Sequence, residues 1–125
     1  MALRILMVED NALNAELARD LLEMGGHSVV VACDGADFRD WLARDPPDIV
    51  LMDLLLPDAD GRELLGELRR MTRFDRVAVV ALTAQALSGD AERLLAGGFD
   101  GVLNKPIDTR TFVASVQNLA TARRR

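Results

Sequence analysis

The sequence lacks several features that would place it in common functional classes. Its single cysteine, Cys33, excludes an internal disulfide and a multi-thiolate metal site, so we interpret it as an inert small side chain. No apolar run approaches the roughly 20 residues that cross a bilayer, and nothing after the first methionine is typical of an export signal. The net charge of −5 argues against a general binder of phosphate backbones. These absences predict a cytoplasmic protein that binds neither nucleic acid nor membrane.

Two kinds of apolar pattern alternate along the 125 residues, a length that fits one domain. Short continuous apolar runs predict strands at 3–8, 27–32, 48–53 and 77–83, with a short fifth strand before Pro106. Residues at helical spacing lie between them: Leu13, Leu17, Leu21 and Met24 form one stripe, and a last helix is expected from Asp108. Trp41 and the methionines are predicted to pack in the core. Five strands alternating with five helices predict an α/β fold with a parallel sheet covered on both faces.

Polar residues with complementary chemistry follow four of the predicted strands. Glu9 and Asp10 end the first strand, Asp53 the third, Thr83 the fourth and Lys105 the fifth. Each one alone could be a cap or a turn residue. Together they would crowd three carboxylates at one sheet edge, where ligands bind in this architecture and where a cation must offset the charge.

Mg²⁺ fits this edge because it takes oxygen ligands, keeps several waters and needs only one or two carboxylates. Asp10 and Asp53 could bind it directly, with Glu9 acting through a bound water. Lys105 and Thr83 would then supply a positive charge and a donor for the oxygens of a phosphoryl group. A carboxylate can form an aspartyl-phosphate, so Asp53 is the predicted nucleophile.

The segments "VEDN", "LMDLLLPDADG", "ALTA" and "NKPI" resemble the motifs of bacterial two-component response-regulator receiver domains, in order and over essentially the whole chain. "DNxxN" at 10–14 and the stretch from "ALTA" to "NKPI" look most like the stand-alone regulators of the DivK type. The resemblance implies a doubly wound, five-stranded parallel sheet of order 2-1-3-4-5 with five helices, the flavodoxin-like fold of CheY.

The resemblance also implies a role for each site residue. Asp53 would accept a phosphoryl group from a histidine kinase or a histidine phosphotransfer protein. Glu9 and Asp10 would hold Mg²⁺, or Mn²⁺, together with Asp53 and the backbone carbonyl of Leu55. Thr83 would be the switch residue, and Lys105 would pair with the phosphoryl group. Such a protein catalyses its own phosphorylation and dephosphorylation, and is not a conventional enzyme.

The same resemblance implies that the Lys105–Pro106 peptide bond is cis, which costs only ~1 kcal/mol before proline. Two further positions matter for regulation. Many family members carry an aromatic residue where this chain has Val102, and the chain contains no tyrosine. Leu55 and Gln85 occupy positions that tune dephosphorylation, and an apolar Leu55 cannot orient a hydrolytic water. We therefore expect partners to contribute to the lifetime of the phosphoryl group.

The receiver domain is expected over 1–122, followed by a solvated basic tail at 123–125 and no output domain. Output is then expected by phosphorylation-dependent contact with a downstream protein. By family analogy, the helix that carries Asn14 would dock the kinase. The face formed by 90–95, Val102 and the last helix would bind the output partner. Asp58 and Asp60 are interpreted as turn and cap residues.

Two alternatives from other classes remain open at this point. The first is a small phosphohydrolase of the haloacid-dehalogenase type, which also uses an aspartyl-phosphate, Mg²⁺, Thr and Lys. That family places a second aspartate two residues after the nucleophile, where this chain has Leu55. The second is a pseudo-receiver, a binding module that never takes up phosphate.

Overall fold

A computed structural model describes residues 2–84, 86 and 89–123. The strands are β1 (Arg4–Val8), β2 (Ser28–Ala32), β3 (Ile49–Asp53), β4 (Ala78–Thr83) and β5 (Gly101–Asn104). The helices are α1 (Ala12–Met24), α2 (Gly35–Trp41), α3 (Gly61–Arg69), α4 (Asp90–Ala96) and α5 (Phe112–Ala120), with a short 3₁₀ turn at Thr72–Phe74. None of the helices in these ranges is long and apolar enough to span a membrane.

The strands form one parallel sheet in the order β2-β1-β3-β4-β5, which confirms the predicted fold. Strand β3 is central and every one of its residues is buried. Because successive side chains of a strand point to opposite faces, the sheet separates two apolar clusters. Helices α2, α3 and α4 cover one face, and α1 and α5 cover the other.

Helix α5 begins later than the sequence predicts. Asp108 starts a turn, in which its side chain accepts a hydrogen bond from the backbone N–H of Arg110 and its carbonyl accepts one from Thr111. The helix itself starts at Phe112. Phe112 and Val116, which lie on this helix, are buried. An aspartate that satisfies nearby backbone donors is equally typical of a helix cap and of a turn, which explains the difference.

Helix α1 buries a different face from its leucine stripe. Leu13, Leu17 and Met24 are 76%, 44% and 85% exposed. The buried positions are Ala15, Ala18 and Leu22. The core prediction is therefore wrong for Met24, and also for Met71, which is 39% exposed. The two buried alanines are small and let the helix axis lie close to the sheet, whereas Leu13 and Leu17 face outward.

Arg123 does not belong to a solvated tail. Its Nε lies 2.7 Å from Oδ1 of Asp100, and its Nη1 donates to the backbone carbonyl of Asp75 at 3.0 Å. Asp100 also accepts hydrogen bonds from Arg69 and from the backbone N–H of Val79, each at 2.8 Å. The charge of Arg123 is thus paired within the folded unit. Residues 124 and 125 of the expected tail lie outside the described residues, and the domain boundary after residue 122 stays a prediction.

Candidate functional site

The carboxyl ends of β1, β3, β4 and β5 lie at one edge of the sheet and bring the predicted residues together. Asp53 is the last residue of β3, between β1 and β4 in the sheet order. Glu9 and Asp10 follow β1 on one side, and Thr83 ends β4 on the other. Lys105 follows β5, and its backbone N–H donates to the Thr83 carbonyl at 2.9 Å.

The three acids form one cluster with unequal exposure. Glu9, Asp10 and Asp53 each offer a carboxylate oxygen, and these oxygens lie within 4.8 Å of one another. Glu9 and Asp53 are buried, and Asp10 is exposed. Both Glu9 carboxylate oxygens are buried and accept no hydrogen bond from the residues that the structure describes. Buried carboxylate oxygens without donors are costly, so this cluster is suited to a cation.

Lys105 supplies the positive charge of the site. Its Nζ lies 2.9 Å from Glu9 Oε1, close enough for an ion pair although the orientation makes no hydrogen bond, and it donates to Asp53 Oδ2 at 3.3 Å. The Lys105–Pro106 peptide bond is cis, as the resemblance implies. One ammonium group thus faces two buried carboxylates, and the cluster retains excess negative charge.

Burial and the excess negative charge change the pKa values of Glu9 and Lys105. Burial raises the pKa of the Glu9 carboxyl to about 7, and the neighbouring Asp53 acts in the same direction while Lys105 opposes it. Burial alone would lower the pKa of the Lys105 ammonium, but the carboxylates of Glu9 and Asp53 outweigh this effect and raise it. Lys105 therefore remains charged at neutral pH, whereas Glu9 ionises only near neutrality.

The segment after Asp53, residues 54–60, is called here the β3–α3 loop. The Leu55 backbone N–H donates to Asp53 Oδ1 at 3.2 Å, and the Leu55 side chain is 79% exposed. Asp60 caps α3 by accepting a hydrogen bond from Arg62 N, as predicted. A Cβ atom at Gly61 would lie 2.7 Å from the Asp53 carbonyl oxygen, so only glycine permits this close approach.

Gly61 is a site residue that sequence reasoning missed. The available signal was a glycine directly after the helix cap Asp60.

The predicted regulatory positions are described only in part. Thr83 is half-buried at the end of β4. Val102 pairs with Ala81 in the sheet and packs, half-buried, against the apolar cluster that contains Leu94 and Phe99. Gln85 lies outside the described residues.

The sequence matches one protein family and its members over most of its length. The family described as "Response regulator receiver domain" matches residues 5–117. The polar-differentiation response regulator DivK of Brucella ovis is 34% identical over 118 residues, which is 94% of this chain and 96% of that protein.

Solved structures extend the comparison to the fold. The receiver domain of a sensor histidine kinase from Pseudomonas aeruginosa, solved with a magnesium ion coordinated in its active site cleft, is 33% identical. The match covers 98% of both chains with a TM-score of 0.81. The chemotaxis response regulator CheY4 of Vibrio cholerae is 21% identical, covers 95% of this chain and 99% of that chain, and has the same fold with a TM-score of 0.87.

The family match spans most of the chain, and the sheet order is that of the CheY-like fold. The chain therefore belongs to the response regulator receiver domain family.

Proposed function

We propose that this receiver domain accepts a phosphoryl group from a phosphohistidine donor onto Asp53 in a Mg²⁺-dependent reaction. The observation that carries the proposal is the placement of the Asp53 carboxylate. It is buried at the end of the central strand, with Lys105 Nζ 3.3 Å from one oxygen and the Leu55 N–H 3.2 Å from the other. A carboxylate oxygen attacks phosphorus, the P–N bond to the histidine breaks, and an aspartyl-phosphate remains.

The residues present fit a divalent cation. Three carboxylates converge, only those of Glu9 and Asp53 pair with the Lys105 ammonium, and among the described residues none donates a hydrogen bond to the Glu9 oxygens. Asp10, Asp53 and the backbone carbonyl of Leu55 would hold Mg²⁺, or Mn²⁺, with Glu9 acting through water. When bound, the cation supplies charge that offsets the repulsion between the incoming phosphoryl oxygens and the carboxylates.

Lys105 and Thr83 act on the transferred group. The Lys105 ammonium is already held between Glu9 and Asp53, so it can pair with a phosphoryl oxygen without a large rearrangement. The Thr83 hydroxyl lies on the neighbouring strand and donates to another oxygen, which makes it the switch residue. Val102 is branched, packed and non-aromatic, so an aromatic side-chain rotation cannot relay this change.

The partners follow from the chemistry and from the exposed face of α1. A phosphohistidine donor must come from a histidine kinase or a histidine phosphotransfer protein. Leu13 and Leu17 are exposed on the helix that starts two residues after Asp10, next to the acidic site. Asn14, on the same helix, lines a small cavity together with Glu9, Leu17 and Lys105. This face is suited to docking the donor, and a downstream protein then recognises the phosphorylated state.

The test is incubation with acetyl phosphate and Mg²⁺, followed by intact mass measurement. We expect a gain of one phosphoryl group that requires Mg²⁺ and is absent in Asp53→Asn. Asp60→Asn is the matched control, because asparagine also caps helices and Asp60 belongs to the same loop. No gain with saturating donor contradicts the proposal and favours a pseudo-receiver. Steady hydrolysis of a chromogenic phosphate ester would instead indicate a phosphohydrolase.

A further inference from the structure

Asp58 connects the β3–α3 loop to a helix that contributes no residue to the acidic site. Its Oδ1 accepts a hydrogen bond from Gly35 N at 2.7 Å, and its Oδ2 accepts one from Ala36 N at 3.0 Å. Both donors belong to the first turn of α2. These hydrogen bonds to backbone donors hold the pKa of the Asp58 carboxyl below its usual value.

These contacts do more than cap α2. The helix already has its own cap, because Asp34 Oδ1 accepts a hydrogen bond from Asp37 N at 2.8 Å. Asp58 lies 22 and 23 positions away in sequence from the residues that it binds. Two hydrogen bonds to a carboxylate are charge-assisted and fix the orientation of the group, so Asp58 forms a cross-link between two segments.

Close packing reinforces this cross-link. A Cβ atom at Gly35 would lie 2.9 Å from the Ala59 Cβ and 3.0 Å from Asp58 Oδ1. The loop therefore rests directly on the bare backbone of the first turn of α2. Any side chain at position 35 would displace either the loop or the helix.

Hydrogen bonds within the loop connect the segment around Asp58 to the acidic site. It is closed on itself by hydrogen bonds from Leu56 N to the Ala59 carbonyl and from Gly61 N to the Leu54 carbonyl. Leu55, at the other side of this closed loop, pairs with Asp60 and donates its N–H to Asp53. We therefore expect a displacement of residues 58 and 59 to move Leu55 relative to Asp53.

We propose that Asp58 is a positioning residue: its cross-link to α2 holds the β3–α3 loop in the geometry in which Leu55 and Asp53 bind a divalent cation. This inference rests on the proposed function, because it assigns a supporting role toward the same cation. It adds α2 to the elements that determine the strength of cation binding, although no α2 side chain reaches the site.

The experiment measures the dissociation constant for Mg²⁺ by titration calorimetry on the full chain. Asp58→Ala is expected to raise this constant about tenfold or more, the usual effect of removing a group that orients a metal ligand. Asp58→Asn keeps one acceptor oxygen for the α2 donors and is expected to lie between wild type and Asp58→Ala. Asp40→Ala removes an exposed carboxylate from α2 itself and controls for the loss of one negative charge.

A second perturbation approaches the same contact from the helix. Gly35→Ala places a methyl group against Ala59 and is also expected to weaken Mg²⁺ binding. Both changes disrupt the same contact, so their effects on the Mg²⁺ dissociation constant should not multiply. The dissociation constant of the double variant should stay within about threefold of the larger of the two single-variant values. Cooperative urea unfolding of each variant verifies that it is folded.

Each outcome decides between the two proposals. A dissociation constant within threefold of wild type in folded Asp58→Ala overturns the role of Asp58 and leaves the proposed function intact. Equal weakening by Asp58→Ala, Asp58→Asn and Asp40→Ala also overturns it, because charge alone then explains the effect. If Asp58→Ala does not fold, Asp58→Asn and Gly35→Ala decide by the same threshold. No Mg²⁺ binding by the wild-type protein overturns both.

Discussion

In the absence of divalent cations, the protein is expected to lose stability as pH rises through neutrality, because Glu9 must ionise in a buried site. Its pKa is raised from 4.5 to about 7 in the folded protein. A group whose folded pKa is raised contributes stability that is fully present below the unfolded value and is lost as pH rises through the folded value. A displacement of this size corresponds to a loss of about 3 kcal/mol in the free energy of unfolding between about pH 4.5 and pH 8.

The assay is urea unfolding in EDTA, followed by the fluorescence of Trp41, the single tryptophan, which packs against the core. Wild type and Glu9→Gln are compared at several values between about pH 5.5 and pH 8. The Gln side chain cannot ionise, so we expect the difference between the two proteins to change by about 2 kcal/mol in favour of Glu9→Gln over this pH range. Taking the difference removes the contribution of groups that titrate equally in both proteins.

Mg²⁺ provides the complementary measurement. The cation binds the ionised carboxylates, so its stabilising effect should increase with pH in wild type and should be smaller in Glu9→Gln. At about 100 times its dissociation constant it is expected to add about 2.7 kcal/mol. If the free energy of unfolding in EDTA depends on pH in the same way for wild type and Glu9→Gln, then Glu9 ionises normally. That result would refute the argument that burial raises its pKa.

Three further predictions concern stability and docking. Gly66→Ala should raise the free energy of unfolding by about 0.5–1 kcal/mol, because a Cβ in the middle of α3 meets none of the described residues within 4 Å. Urea unfolding with no gain would contradict this. Asp100→Ala should cost about 3 kcal/mol in the same assay, because it removes the carboxylate that accepts hydrogen bonds from Arg69, Arg123 and Val79 N. Arg93→Ala, in an exposed pair, should change stability by less than about 0.5 kcal/mol. Leu17→Ser should slow phosphoryl transfer from a histidine phosphotransfer protein about fivefold or more, while the rate with acetyl phosphate stays unchanged. Equal slowing with both donors would show that Leu17 affects the chemical step and not the docking of the donor.

The sequence by itself determined the sheet, its direction and the residues at its edge. Buried strands of parallel sheets are continuous apolar runs, so "ILMV" before Glu9 and "IVLM" before Asp53 were readable without a structure. Connections between parallel strands bring their carboxyl ends to one edge, which explains why Lys105 could be assigned to the same site as Asp53. The structure brings these residues together at one edge as predicted. The prediction was possible because it depends only on local patterns and on one topological rule.

The tertiary structure alone decided which surfaces are exposed and which distant residues meet. The leucine stripe of α1 has the spacing of a core-facing face, yet Ala15 and Ala18 pack on the sheet, because helix periodicity does not say which of two adjacent apolar stripes is buried. Asp58 and Arg123 have no local signal, since their hydrogen bonds join segments 22 and 23 residues apart and depend on how loops pack. The acids at the sheet edge follow from the order of the strands, whereas the contacts that hold their loops in place follow only from three-dimensional packing.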